Sequence, residues 1–400
     1  MKWLEGIVAV LLLIVLILLG REAAAHPIDF AVYHRAARQV MAGNFELYPP
    51  EAYGGQPHPS QGFRYIPAVA FVFVPFGWLP LEAAAVVFFA LKLAALVYIG
   101  VTVTRYVGLT GGRRRVLLVA FLIVSGYMVE EFRFGNVHFL CIALLVFAYD
   151  QAESGRIVAP AAALALAIAM KLTPAALLAY FAVKRRWTLC VATIGILALL
   201  VVLPAAIIGW AGNVRQLRAY ATYALEKTDE DDNYSLRGAL VRYLTPGHAD
   251  VSHVDASIAS LSPTVVTGLW LAGVSALGIA GLVGVWRDDR TPLVRLLEFS
   301  IVMIGMVLAS PHTQRRYFVA LYVPTVALVA LLFRTASTDE KRLALIGLAA
   351  TALAATILPL IFAGRRLALI YEAGSPYFWG ALVLFGVLVV MTLRRKAVTA

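Results

Sequence analysis

Charge is what this chain has least of. Acidic and basic residues together make up 14% of its 400 positions, where a soluble domain carries about 25%. A soluble enzyme and a charge-rich disordered chain are both excluded. Cysteine is nearly missing too. Cys141 and Cys190 both lie inside apolar runs, so neither a disulfide framework nor a thiolate metal site is indicated. The sequence has no Walker-type glycine-rich loop and no repeat at a fixed period. No loop on the basic side is long enough to fold as a soluble domain, which excludes nucleotide-driven work there.

What the chain does have is apolar surface. Hydrophobic residues reach 61% and the mean hydropathy is +0.82. At about 20 residues per span this is room for roughly twelve crossings, and the fold class expected is an all-α polytopic membrane protein. Charge-poor runs fall at residues 6–20, 83–104 (broken by Lys92), 116–129, 135–149, 157–170, 172–183, 187–208, 264–286, 299–309, 317–333, 343–363 and 376–393. The first run, followed by Ala23-Ala24-Ala25, also reads as a signal peptide; it is kept as a span. Residues 65–81 carry Pro67, Pro75 and Pro80, which suits a broken juxtamembrane segment rather than a straight crossing.

The net charge of +11 comes from short clusters between apolar runs: Arg113–Arg115, Lys184–Arg186 and Arg394–Lys396. Such clusters set orientation by staying on the cytoplasmic side, so no nucleic-acid partner is expected. With both termini inside, the outer face receives two long loops, 21–81 and 209–263. It also receives the short turns 130–135, 171–173, 310–316 and 365–375. A single integral-membrane domain over 1–400 is expected.

The polar chemistry gathers in those outer segments. Pro27 suits a first helical turn and Gly43-Asn44 suits a stop, so loop 21–81 opens on a helix with Asp29, Tyr33, Ala36 and Val40 on one face. Asp29 sits where the helix dipole favours a negative charge. It can serve as a general base or only stabilise the first turn. Lys171 interrupts two apolar runs. It can meet an anionic lipid phosphate or simply snorkel to the headgroups. His312, Arg315 and Arg316 form a basic turn suited to phosphate, or cap a helix among headgroups. Glu130 and Glu131 add paired carboxylates, or a plain surface pair with Arg133. Asp229-Glu230-Asp231-Asp232-Asn233 could hold a hard cation, but a solvated acidic run is the expected reading; neither a metal nor a cofactor is expected.

Four ordered blocks carry a resemblance to a known family. They are Asp29-Phe30-Ala31-Val32-Tyr33 with Phe63-Arg64-Tyr65-Ile66-Pro67; Gly135-Asn136-Val137-His138; Met170-Lys171-Leu172-Thr173-Pro174; and Asn233-Tyr234-Ser235-Leu236-Arg237-Gly238 with Ser310-Pro311-His312. In this order they resemble glycosyltransferase family 87, of the C-type transferases that use polyprenyl-phosphate sugars. The chain departs from the family pattern at Asn136 and His138, at Ile66 and at Arg315-Arg316.

The resemblance implies a C-type architecture with outer juxtamembrane helices and an active site on the extracytoplasmic face of a bacterial plasma membrane. It implies transfer of mannose or another hexose or pentose from a polyprenyl-phosphate donor to a lipid or glycan acceptor, with inversion. Asp29 takes the role of base. Lys171, His312, Arg315, Arg316 and Arg64 are expected at the donor phosphate; Tyr33, Glu130, Glu131, Asn136, Asn233 and Arg237 are expected around the substrates. The partners implied are donor, acceptor and membrane lipids. The rival readings are a polyprenyl-lipid flippase or transporter, which would show repeats and broken mid-membrane helices, and a diphosphate-lipid ligase, for which Arg215, Arg218, Arg237 and Arg242 in loop 209–263 would matter.

Overall fold

A computed structural model of the chain describes residues 2–53, 62–226, 232–246, 254–286, 291–334, 337–356 and 364–399. Among the described residues there are nineteen α-helices and three short 3-10 turns, with no strand. Five helices are long and apolar enough to cross a bilayer: Leu81–Val107, Pro263–Val285, Pro292–Ala309, Arg315–Leu332 and Pro376–Arg395. Counting three bent helix pairs as single broken spans raises this to eight. The protein is therefore a multi-pass membrane protein.

The count falls short of the twelve runs because several runs are not straight. The run 116–129 divides at Val124 (φ −100, ψ 12) into helices Arg113–Ile123 and Ser125–Phe134. The latter meets His138–Glu153 at a bend of 113°. Runs 157–170 and 172–183 become the short helices Val158–Met170 and Thr173–Val183, divided at Lys171, whose backbone is extended. Residues 65–81 fold as Pro67–Val72 and Val74–Gly77, of six and four residues. At 1.5 Å per residue neither can cross.

The chain divides into two compact units, Met1–Val97 with Glu131–Thr228, and Tyr98–Glu130 with Asp229–Ala400. The first unit centres on helix Ile28–Met41, the outer helix that Pro27 and Gly43 mark in the sequence. Its buried face presents Phe30, Tyr33, Ala36 and Ala37. Phe30 stacks on Phe88 at 4.6 Å and Tyr33 on Phe73 at 4.9 Å. Burying rings of this size is the dominant stabilising term for such a helix. The alanine-rich helix Val158–Met170 packs against both His138–Glu153 and Trp187–Val202, because small side chains let backbones approach without a hydrophobic drive in lipid.

In the second unit, helices Thr338–Ala355 and Pro376–Thr399 pack along each other. A Cβ at Gly380 would lie 2.4 Å from the Ala354 Cβ, so this contact needs glycine. Helix Leu236–Leu244 starts on Ser235, whose hydroxyl accepts from the Gly238 amide. The residues before it are pinned to the turn 310–313. Asn233 donates to the Pro311 carbonyl at 2.9 Å, and its Oδ1 accepts from Thr313 N at 3.1 Å. Tyr234 N donates to the Thr313 carbonyl at 2.7 Å.

Candidate active site

The first unit brings together residues from three distant stretches. Asp29 lies in the first turn of Ile28–Met41, and its Oδ2 accepts from Asn136 Nδ2 at 2.8 Å. The other end of the same amide accepts from the backbone N–H of His138 at 2.9 Å. With both ends engaged, Asn136 cannot flip without breaking both bonds. The His138 ring, 4% exposed, then lies with Nδ1 3.3 Å from Lys171 Nζ. An ammonium can only donate, so a charged Lys171 meets Nδ1 as its acceptor. Carboxylate, amide, imidazole and ammonium form one connected set.

Local sequence explains how each is delivered. Gly135 adopts φ +66, and a Cβ there would lie 2.9 Å from the Phe30 Cβ. Only glycine gives the turn both its left-handed backbone and this close approach to the residue after Asp29. Lys171 ends helix Val158–Met170 in an extended conformation (φ −156, ψ 134) before the 3-10 turn Thr173–Ala175. Its side chain leaves the helix axis there.

The other expected site residues of this unit take supporting positions. Tyr33 is buried and its hydroxyl meets that of Tyr65 at 2.8 Å. Arg64 is exposed, with its guanidinium 5.8 Å from the Tyr223 ring centre. Glu131 is fully buried with Lys92, Nζ to Oε1 3.2 Å. Lys92 Nζ also donates to the Glu131 carbonyl at 2.6 Å, and Glu131 Oε1 accepts from Phe139 N at 3.0 Å. The carboxylate thus ties the His138 helix to the Ser125–Phe134 segment. Lys92, which only interrupts an apolar run in the sequence, is its cation.

The second unit holds Glu130, Asn233, Arg237, His312, Arg315 and Arg316. Arg315 is paired with two carboxylates, Glu130 at 3.3 Å and Glu372 at 3.5 Å. It lies 5.1 Å from the Tyr377 ring centre. A Cβ at Gly126 would meet the Ala355 carbonyl oxygen at 2.0 Å and Arg315 Nη2 at 3.3 Å. Asn233 is the staple between the two halves of the fourth sequence block, as described above. Arg237 lies 6.0 Å from the Trp270 ring centre and Arg316 5.9 Å from that of Tyr317. His312 is half-buried. Its backbone carbonyl accepts from the Ser310 hydroxyl at 2.7 Å.

Asp232 joins this second group. Burial and the neighbouring Glu130 and Glu372 carboxylates push its carboxyl up to about 7, against the opposing pull of Arg316 and a Tyr234 hydrogen bond. Asp229, Glu230 and Asp231 lie outside the described residues. Among those described, no group of three or more His, Cys, Asp or Glu side chains has metal-binding geometry.

Two residues of these sites, His138 and Lys92, carry little signal by residue type alone. His138 sits inside the Gly135-Asn136-Val137-His138 block, which was its signal. Lys92 gave no sequence signal beyond an unexplained cation in an apolar run.

Comparison with known proteins adds two findings. The sequence profile of glycosyltransferase family 87 matches residues 63–311. That stretch contains Asn136, His138, Lys171 and Asn233 and begins after Asp29. The chain is 28% identical to a polyprenol-phosphate-mannose-dependent alpha-(1-2)-phosphatidylinositol mannoside mannosyltransferase of Mycolicibacterium smegmatis, over 96% of this chain and 87% of the relative. It is 27% identical to the protein of the same description in Mycobacterium tuberculosis, over 76% of this chain and 70% of the relative.

Proposed function

This chain belongs to glycosyltransferase family 87, and from that premise we propose that it moves mannose from a polyprenyl-phosphate carrier to a lipid-borne glycan acceptor. The reaction takes place on the extracytoplasmic face of a bacterial plasma membrane, in a C-type architecture. The observation that carries the reading is the bond between Asp29 and Asn136 at 2.8 Å, continued through His138 to Lys171. It gives a fixed carboxylate and a fixed cation within one connected set. The names of the two mycobacterial relatives support the choice of mannose and of the monophosphate carrier.

In this mechanism the Asp29 carboxylate takes the proton of the acceptor hydroxyl as that oxygen attacks the anomeric carbon. The bond from that carbon to the phosphate oxygen breaks, and polyprenyl phosphate departs with the electron pair. One displacement inverts the anomeric centre, so a second, nucleophilic carboxylate is not required. Lys171 stabilises negative charge as it grows on the leaving phosphate, a contribution that is large where water is excluded. His138 accepts one ammonium N–H and fixes where that charge lies. Asn136 orients the base. Arg64 is assigned to the donor phosphate and Tyr33 to the substrates. In the second unit, Arg315, Glu130 and Asn233 shape the turn that carries His312 and Arg316; His312, Arg316 and Arg237 keep the substrate-contact roles that the family resemblance implies.

The test is transfer by the purified protein in lipid nanodiscs. Polyprenyl-phosphate mannose, glucose and arabinose are supplied in parallel with a diphosphate-linked sugar and a phospholipid-glycan acceptor. Mannose transfer from the monophosphate carrier with inverted stereochemistry is expected. Transfer only from the diphosphate lipid would replace this reading with the ligase one. Movement of a sugar lipid across the bilayer without transfer would favour the transporter.

A further inference from the structure

A polar cavity lies in the first unit, lined by none of Asp29, Asn136, His138 and Lys171. Helix Ala205–Glu226 breaks at Gly209 (φ 73, ψ 165), a backbone conformation open to glycine almost alone. The pair Trp187–Val202 and Ala205–Tyr223 bends by 85°. If the first member runs along the membrane normal, the second runs along the surface. Its composition fits such a placement. Trp210 is 66% exposed, as an interfacial anchor would be, while Asn213, Gln216, Ala219 and Tyr223 are buried.

Beside this helix is a cavity of about 470 Å³ lined by Tyr53, Trp210, Arg215, Arg218 and Thr222, a volume in the ordinary range for a ligand headgroup. Arg215 and Arg218 stand three positions apart on the helix and so share a face. Arg215 bonds Glu46 at 2.7 Å, with both side chains about 60% exposed. An exposed pair of this kind contributes little, and a bidentate phosphate can take the carboxylate's place. Arg218 makes no ion pair among the described residues. Trp210 and Tyr53 offer two flat apolar rings beside the guanidinium groups, and Arg215 already lies 5.2 Å from the Tyr53 ring centre.

The cavity is also tied to the catalytic helix. Tyr53 donates to Gln216 at 2.6 Å, and its oxygen accepts from Tyr48 N at 3.4 Å. Tyr48 donates to the Tyr65 carbonyl at 2.7 Å, and the Tyr65 hydroxyl meets that of Tyr33, one turn beyond Asp29. A series of tyrosines therefore links the cavity wall to the helix that carries the base.

We propose that this cavity binds the anionic headgroup of a membrane phospholipid, its phosphodiester between Arg215 and Arg218 and its polyol or sugar against Trp210 and Tyr53, and that this lipid is the acceptor. The lipid binding stands on the cavity alone; the acceptor role rests on the transferase reading above.

The experiment uses the full chain in nanodiscs of phosphatidylcholine doped with a headgroup-photoactivatable phosphatidylinositol. Crosslinks within residues 205–226 are read by mass spectrometry for the native chain and for Arg215→Gln/Arg218→Gln. A drop of about tenfold or more in the double variant is expected, with no drop when photoactivatable phosphatidylcholine replaces the anionic lipid as the reference. Equal labelling by both lipids, or labelling unchanged in the variant, overturns the site. Loss of labelling on adding equimolar inorganic phosphate also overturns it, since the cavity would then take a free phosphate rather than a membrane lipid. Transfer is measured on the same samples with a phosphatidylinositol-glycan acceptor. Acceptor KM should rise about tenfold with kcat retained. A normal KM with selective labelling would overturn the acceptor role, and no transfer by any sample would count against the functional reading while the lipid site stands.

Discussion

Asp29 and Asn136 are 107 positions apart, and the amide of one holds the carboxylate of the other at 2.8 Å. The amide is not a spectator, because its oxygen also fixes the His138 backbone. Replacing Asn136 by Ala removes a hydrogen bond to a charged group, an effect of about 1.5–3 kcal/mol. Transfer should fall by roughly ten- to a hundredfold, with little change in donor binding. Asn136→Asp should be worse than Asn136→Ala, because it sets a second carboxylate against Asp29. Equal activity for the two variants in a transfer assay would count against orientation of the base by this amide.

Lys171 and His138 test the cationic half of the site. Lys171→Met should weaken donor use by about 1.5–3 kcal/mol, read as donor affinity from titration and as kcat/KM. His138→Leu should lose part of that effect by releasing the ammonium. His138→Asn, which keeps an acceptor, should restore most of it. If His138→Leu matched the native chain in donor affinity, the 3.3 Å contact would be packing alone.

The apolar runs, the outer helix starting after Pro27 and the broken segment near Pro67 were all legible from residue type. Straightness was not. Composition reports how apolar a run is, but the bend at Val124 depends on what packs around it; the break at Lys171 is legible, because a cation there divides two apolar runs. The Asn233 staple shows the same limit for sites. Residues 233 and 311 were both singled out, but only the fold shows that they hold each other. Glu130 and Glu131 looked like one acidic pair. Their partners, Arg315 and Lys92, are distant in sequence, and no local pattern predicts them.

The Lys92–Glu131 pair is the strongest stability prediction. Both side chains are fully buried, so removing one partner leaves an uncompensated charge. Lys92→Met should cost about 3–5 kcal/mol, seen as a large fall in Tm in detergent. The double variant Lys92→Met/Glu131→Leu should recover much of the loss, since no lone charge remains. A single variant that melts normally would mean the pair does not carry charge in the membrane.

Asp232 gives a pH dependence. Its carboxyl is raised from 3.8 to about 7 by burial and by Glu130 and Glu372. Above pH 4 the unfolded chain has lost a proton that the folded chain still holds, so stability falls as pH rises toward 7. Above pH 7 both states are ionised and this contribution stays flat. Asp232→Asn should flatten the slope between pH 4 and 7 and raise Tm at pH 8. An unchanged slope would assign the dependence to other groups.

The most direct measurement compares Asp29→Asn, Glu130→Gln and Glu131→Gln for sugar transfer and for donor binding on the same preparations. The asparagine is nearly isosteric and keeps a partner for Asn136, so the fold should survive. Loss of general-base assistance should lower the transfer rate by roughly 10²–10⁴-fold while donor binding stays near native, and Glu130→Gln should retain far more activity. Near-native transfer by Asp29→Asn, with activity abolished in Glu130→Gln or Glu131→Gln and the fold intact, would move the base to the 130–131 turn and contradict the site described above.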